Sequence, residues 1–259
     1  MKNILTLAGK ELRSLFVSPI AYVVLTGFLL LGGWFFFNLL FRFTYLASLY
    51  TGMRNLEEGL QSINLNEHVM APLLHNLAII LVILVPIITM RAFAEEKRSG
   101  TYELLLTSPL TVTEIVLGKF LGCISFVGIM ILLTAVYPAI LLYYGNPEPG
   151  ILFSGYLGLF LLAVVFVSVG LLTSSLTENQ IVAAVSCFVA LLLLYVISWP
   201  AETTGSALGG TLKYLSVVEH FGDMVKGVID TKALVYLVSL IVMSLFLTHR
   251  SVEASRLGR

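Results

Sequence analysis

The side chains best suited to chemistry in this sequence lie in one charged block, RAFAEEKRSGTYELLLTSPL, from Arg91 to Leu110. Its ionisable or strongly polar residues are Arg91, Glu95, Glu96, Lys97, Arg98, Thr101, Glu103 and Thr107. Tyr102 and the leucines at 104–106 stand beside them. Charges of both signs next to apolar anchors favour docking against a protein surface rather than catalysis. Since one charge at the centre of a membrane helix costs about 2.5–3.5 kcal/mol, the block must contact water or a partner.

Motifs that would make the chain an enzyme are missing from the sequence. It contains no GxxxxGK[ST] loop for ATP, and no HExxH, CxxC or GxSxG pattern. The four histidines are scattered, and Cys123 and Cys187 lie in apolar stretches, where we expect them to pack as small hydrophobic residues without a disulfide. We therefore predict that the chain is not an enzyme and binds no cofactor or metal itself.

Composition places the whole chain in a membrane. Hydrophobic residues make up 58% of the 259 residues and charged residues 12%, with a mean hydropathy of +0.96. Soluble domains carry about 25% charged residues. The formal net charge is zero, which gives no reason to expect a nucleic-acid partner. The sequence predicts one integral membrane domain over 1–259.

The elements that must position the block are helices. We expect an all-α polytopic membrane protein with an interfacial helix at 3–16 and two short surface helices in 91–110, the first ending near Gly100 and the second stopped by Pro109. Pro86 and Pro138 should kink their spans. The six predicted membrane-spanning helices cover residues 19–41, 72–90, 115–144, 151–176, 181–199 and 233–249.

The two long polar connections lie on the other side of the membrane. The first, 42–71, has apolar residues at helical spacing (Met53, Leu56, Leu60 and Ile63), which predicts a short amphipathic helix. The second is 200–231, and its apolar residues between Leu212 and Ile229 recur at helical intervals. Ten Lys and Arg residues lie on the side of both termini and the block, Lys119 among them, against five on the loop side. The positive-inside rule places both termini in the cytoplasm.

Two further patterns bear on mechanism. Gly118 and Gly122 form a GxxxG pair. Close helix packing at this pair and a chance occurrence of the two glycines explain it equally well. No charged residue falls in the middle of a predicted span, whereas ion-coupled carriers keep such residues as relays. Energy for any transport should therefore enter from outside the spans, and the charged block is the obvious place.

Three stretches carry a family resemblance. EEKRSGTYELLLTSP (95–109) followed by EIVLGKF (114–120) resembles the region after the second span of ABC-2 type transporter permeases. The resemblance continues in SSLTENQ (174–180), and from YLS (214–216) through HF (220–221) to GVID (227–230). It covers essentially the whole chain, and the gliding-motility-associated and copper-enzyme-maturation permeases are the most similar group.

The resemblance implies the partners. Two separate cytoplasmic ATPase subunits would bind ATP and Mg²⁺, a second permease copy, identical or different, would complete the membrane part, and an extracytoplasmic accessory subunit is left open. Residues 91–110 would be the coupling helix and Thr177–Gln180 a second contact. The implied ATPase contacts are Glu95, Glu96, Arg98, Gly100, Thr101, Glu103, Leu104, Leu105, Ser108, Thr177, Glu178, Asn179 and Gln180. In related permeases, short helices at the position of 212–229 dip back into the membrane.

The implied function is a permease subunit in a bacterial cytoplasmic membrane that couples ATP hydrolysis to export or translocation. An alternative is a subunit that moves no substrate and transmits ATPase motion to an extracytoplasmic partner. An ion-coupled carrier ranks third. For the charged block the alternative is a membrane-lying loop without a partner, and for 212–229 a helix lying on the outer surface.

Overall fold

The structure is a computed structural model that describes residues 2–51, 64–197 and 214–257. Within these ranges the regular elements are all helical, as predicted. They are α1 (Lys2–Val17), α2 (Pro19–Thr51), a π-helical turn (Asn66–Met70), α3 (Ala71–Thr89), α4 (Arg91–Ser99), α5 (Thr101–Thr107), α6 (Val112–Leu133), α7 (Val136–Tyr144), α8 (Pro149–Leu176), α9 (Gln180–Val196), α10 (Val217–Val225) and α11 (Thr231–Leu257).

Five stretches in the described ranges are long and apolar enough to cross a membrane: Pro19–Leu49, Asn66–Ser99, Val112–Tyr144, Pro149–Leu176 and Thr231–Arg256. The chain is therefore a multi-pass membrane protein. α8 is the central helix, because it packs against α3, α6, α9, α10 and α11 and buries most of its surface. α2 and α11 leave most of their apolar surface exposed on the outside of the bundle.

Several helix ends differ from the predicted spans. α2 continues beyond Phe41 to Thr51, and α11 continues beyond His249 to Leu257. Neither extension contains Pro or Gly, and their residues are compatible with a helix. The helices therefore continue past the change in polarity that marks the border of the bilayer. The third predicted span is interrupted between α6 and α7, at Thr134 and Ala135, a few residues before Pro138. A proline removes one backbone donor and crowds the preceding turn, which accounts for this interruption.

On the predicted outer side, α10 packs into the bundle. Its buried residues Phe221 and Met224 lie against α8, and the Ser154 hydroxyl donates a hydrogen bond of 2.7 Å to the Met224 carbonyl. The His75 ring of α3 lies 5.2 Å from the Phe221 ring. The predicted amphipathic helix near Met53–Ile63, and the part of the second loop before Tyr214, lie outside the described residues.

α9 has 17 described residues and is shorter than the five spans. At 1.5 Å per residue it is about 26 Å long, slightly less than a hydrocarbon core of about 30 Å. We expect Val189→Arg, at an exposed position in its middle, to lower membrane insertion by about 2.5–3.5 kcal/mol. The fraction of integrated protein in a membrane-insertion assay measures this cost.

The matched control is Ile181→Arg, also exposed but in the first turn of α9, from where the guanidinium can reach the interface. That variant should integrate almost normally. Equal integration of both variants would show that α9 does not cross the membrane.

Candidate functional site

The charged block folds into two short helices that meet at Gly100. This residue has φ 74°, in the left-handed region, and its N–H bonds to the Lys97 carbonyl at 3.3 Å, which ends α4. Glycine adopts this conformation without the steric penalty of a Cβ. Lys97 and Arg98 lie in the last turn of α4, where positive charge is favourable to the helix dipole. Gly100 therefore sets the direction in which α5 leaves α4.

The inner face of α4 is fastened to the end of α8. The backbone N–H groups of Phe93 and Ala94 donate to the Ser174 hydroxyl oxygen at 3.0 and 3.2 Å, and that hydroxyl donates to the Met90 carbonyl at 3.0 Å. The first N–H groups of a helix have no partner within the helix, so this side chain satisfies two of them. The same face buries Ala92, Phe93 and Ala94.

A second connection involves Ser175. The Lys97 ammonium donates to the Ser175 carbonyl at 2.6 Å and lies 5.3 Å from the centre of the Tyr102 ring. From α11, the Ser251 hydroxyl donates to the same carbonyl at 3.2 Å. The last carbonyls of a helix also lack partners within the helix. The end of α8 thus joins α4 and α11 at one point.

A buried ion cluster lies behind α4. The Lys119 ammonium of α6 is 2.9 Å from Glu11 Oε1 of α1 and 2.8 Å from Glu96 Oε1 of α4. Its side chain is 1% exposed, and the ammonium lies 5.3 Å from the centre of the Phe93 ring. The sequence analysis counted Lys119 only by its side of the membrane. The structure adds that its charge is buried and balanced by carboxylates on two distant segments.

α1 comes close enough to contribute Glu11 to this cluster because two glycines of α6 face α1. A Cβ on Gly118 would lie 2.7 Å from the Leu7 side chain, and one on Gly122 would lie 2.7 Å from Glu11 Cβ. The GxxxG pair therefore lies at a close helix–helix contact, and the partner is the N-terminal helix α1. Small residues allow helix backbones to approach in this way.

We expect Gly122→Ala to destabilise the protein by about 1–3 kcal/mol, because the added methyl must displace α1. The midpoint of unfolding in mixed micelles measures this. Gly9→Ala on α1 is the matched control, since its Cβ would meet no atom within 4 Å. That control should be neutral or gain roughly 0.5–1 kcal/mol from helix propensity. A stable Gly122→Ala protein would contradict the close approach of α1.

The outer face of α4 and α5 is open. We call it the docking surface, and its exposed members are Glu95, Arg98, Gly100, Thr101, Glu103 and Leu104. Leu104 is 72% exposed, a large apolar side chain among charges. Leu105 and Ser108 are half-buried, and the Glu96 carboxylate points inward to Lys119, with its side chain 19% exposed. Glu96 therefore belongs to the ion cluster in this chain.

The second implied contact segment, Thr177–Gln180, lies next to the docking surface. It begins two residues after Ser175, whose carbonyl accepts from Lys97, and Glu178 lies close enough to Lys97 for an electrostatic attraction. Glu178 and Asn179 are exposed, whereas Thr177 and Gln180 are half-buried. The Asn179 side-chain oxygen accepts from the Ile181 N–H at 2.9 Å and caps α9. Two segments about 75 residues apart in sequence thus lie close together at the end of α8.

This arrangement suits recognition and transmission of force. The docking surface carries charges of both signs around the exposed apolar side chain of Leu104, and an apolar centre with a polar rim is typical of protein interfaces. Among the described residues, no group of three His, Cys, Asp or Glu side chains could hold a metal ion. Sequence reasoning missed Lys119, Glu11 and the two serines as the attachment points of α4. The one available signal was a lysine inside an apolar helix that begins at a Thr111–Glu114 capping box.

Comparisons with known proteins agree on one family. The family model described as "ABC-2 family transporter protein" matches residues 5–252. Two curated relatives, both named "Probable multidrug ABC transporter permease YbhR", from Escherichia coli strain K12 and Escherichia coli O157:H7, are each 34% identical over 160 residues. The match covers 58% of this chain but only 41% of each relative.

Proposed function

This chain belongs to the ABC-2 family of transporter proteins, and we propose that it is a membrane permease subunit driven by a separate cytoplasmic ATPase. In this proposal α9 is a sixth span, both termini lie in the cytoplasm of a bacterial cell, and the chain sits in the inner membrane. ATP and Mg²⁺ bind to two ATPase subunits, in keeping with the missing GxxxxGK[ST] motif. A second permease subunit, identical or different, completes the complex, and an extracytoplasmic accessory subunit would contact its outer side.

One observation carries the proposal: the docking surface is open on one side and attached to three spans on the other. At the end of α8, the Ser174 hydroxyl accepts from the Phe93 N–H of α4, and the Ser175 carbonyl accepts from Lys97 of α4. Lys119 joins α4 to α6 and α1, and Ser251 connects the end of α8 to α11. When the ATPase dimer closes, a push on α4 and α5 would move these helices together. Rigid-element displacement of this kind is a common form of switching.

Export or translocation of a substrate is the first form of this function. The two relatives are named as probable multidrug transporter permeases, which favours the movement of small molecules across the membrane. The assignment to this chain is a proposal, because the match leaves more than half of each relative uncovered. The gliding-motility-associated group, indicated by the sequence motifs, remains a second candidate.

The alternative form transmits ATPase motion to an extracytoplasmic partner without moving a substrate. α10 offers a route for this, because it packs on the central helix α8 through Ser154 and Met224. A sealed interface between the two permease copies would favour motion transmission, and a lined cavity would favour transport. An ion-coupled carrier is the third hypothesis. Loss of transport on adding an uncoupler, while the ATP concentration is held constant, would support it.

Site-specific photocrosslinking tests the proposal. A photoreactive phenylalanine analogue replaces Leu104 or Glu178 in the native host, and Tyr144, 83% exposed at the end of α7, is the control position. We expect a crosslink to an ATP-binding subunit from positions 104 and 178 and none from 144. Crosslinks from 144 alone, or none from 104 and 178, would mean that this surface does not contact an ATPase.

A further inference from the structure

A cavity of about 320 Å³ lies between α1, the α3–α4 junction and α6, beside the ion cluster, and Glu95 of the docking surface is part of its lining. That volume falls within the range of roughly 300–1,000 Å³ that is usual for small-ligand sites. Its charged lining has three cations, Lys10, Arg91 and Lys119, and three anions, Glu11, Glu95 and Glu96. Ser14 and Ser18 add hydroxyls, while Leu15, Val17 and Ile88 form an apolar side.

Two buried atoms on this cavity lack hydrogen-bond partners within the described residues. Glu96 uses Oε1 for Lys119, and its second oxygen, Oε2, accepts from no donor. Arg91 donates from one terminal nitrogen to Ser18 at 3.0 Å, but its Nε–H has no acceptor within hydrogen-bond distance and only a long contact of 3.9 Å to Glu95. A buried donor or acceptor left unsatisfied costs about 1–3 kcal/mol. Both atoms belong to side chains that line the cavity, but neither atom has appreciable accessible surface. A ligand would therefore satisfy them after the two side chains turn toward the cavity.

The balance of charge selects the class of ligand. A purely anionic ligand would face three carboxylates, and a purely cationic one would face an arginine and two lysines. A zwitterion whose ammonium reaches Glu96 Oε2 and whose phosphate reaches Arg91 Nε meets both needs. Charge-assisted hydrogen bonds of these two kinds are the strong ones.

The position of the cavity selects the source of the ligand. α1 is amphipathic and crosses the first turns of α6, so the cavity lies at the border of the membrane. Val17, strongly exposed, and Leu15 continue its apolar side toward the lipid. Acyl chains can lie along that side while the headgroup occupies the polar part.

We propose that this cavity binds a phospholipid whose headgroup carries both a phosphate and a primary ammonium group, as phosphatidylethanolamine does. The lipid joins α1 to α4 through Arg91 and Glu96, next to the Lys119 cluster. Lipid composition thereby affects how firmly the docking helices are held to the N-terminal helix.

Lipid retention tests the proposal. The purified full-length protein is placed in phosphatidylcholine nanodiscs that contain equal small amounts of phosphatidylethanolamine and phosphatidylglycerol, and the lipids that stay bound on extraction are counted by native mass spectrometry. Phosphatidylcholine has the same phosphate but an ammonium without N–H donors, and phosphatidylglycerol lacks the ammonium. We expect about tenfold preferential retention of phosphatidylethanolamine, near one molecule per chain, as expected for one charge-assisted hydrogen bond.

Two variants locate the binding. Ser14→Trp fills the cavity from an exposed position on α1 and should abolish the preference, whereas Thr6→Trp, exposed on the same helix but away from the cavity, should keep it. Lys10→Gln should weaken retention several-fold, and Lys2→Gln should not. Lys10 is exposed, so its replacement leaves the fold intact.

Three outcomes of the lipid-retention experiment would overturn the proposal. The first is equal retention of the three lipids, and the second is a preference that survives Ser14→Trp. The third is the absence of any retained lipid, which would mean that the cavity holds water alone. Soluble phosphoethanolamine serves as a competitor, and displacement at concentrations equal to those of the lipid would exclude a membrane lipid as the source.

Discussion

Lys119→Met is expected to lower the free energy of unfolding by about 3–5 kcal/mol, the usual cost of removing one partner from a buried ion pair. The substitution keeps an aliphatic chain of similar length but leaves Glu11 and Glu96 facing each other without the ammonium that holds them. Two carboxylates in a buried site repel each other and lose their hydration. Unfolding in mixed micelles, followed by loss of helical signal, measures the change.

Two controls identify the cause. Lys232→Met, at an exposed position at the start of α11, should change stability little. The triple variant Glu11→Gln, Glu96→Gln and Lys119→Met removes all three charges and should recover most of the loss, since replacing a whole buried cluster by neutral groups is often tolerated. A Lys119→Met protein as stable as the Lys232→Met control would show that the cluster does not form.

Leu104→Asp is expected to weaken association with the ATPase by about 2 kcal/mol, a factor of roughly 30, if Leu104 is an anchor of the interface. The side chain is 72% exposed on α5, so the fold should keep its stability. Quantitative co-purification from native membranes, together with the unfolding midpoint, separates the two effects.

The control for this variant is Tyr144→Asp, which also places a charge at an exposed apolar position, at the end of α7. It should co-purify with normal amounts of ATPase. Charge reversal at Glu96 is unsuitable as a docking test, because an added positive charge would face Lys119 and destabilise the ion cluster as well. Arg98→Glu, on the exposed face, is the appropriate second variant. Normal co-purification of both Leu104→Asp and Arg98→Glu would remove this surface from the interface.

Local chemistry made part of this architecture predictable. Gly100 marks the end of α4 because glycine alone enters the left-handed region cheaply, and Pro109 follows the end of α5 because proline cannot continue a helix. The apolar runs identify spans because bilayer hydrocarbon excludes charge. The family is likewise visible in residues 95–120, and the family model covers 5–252.

Long-range contacts set the limit of prediction. Glu11 and Lys119 are 108 residues apart, and in sequence each is an ordinary charge near a membrane border. Nothing local indicates that Glu96 turns inward while Glu95 turns outward, since that choice depends on where α6 and α1 pack. The predicted ends of the first and last spans do not mark the ends of α2 and α11, because a helix can continue past the polarity change that marks the bilayer.

The most direct test of the central claim, that this chain is a permease subunit driven by a separate ATPase, is its affinity purification from native membranes in mild detergent. Quantitative mass spectrometry then gives the amount of each protein that accompanies it. The account predicts an ABC-type ATPase subunit in near-equal amount to the chain. Repeated recovery of the chain without any ATP-binding subunit would contradict it.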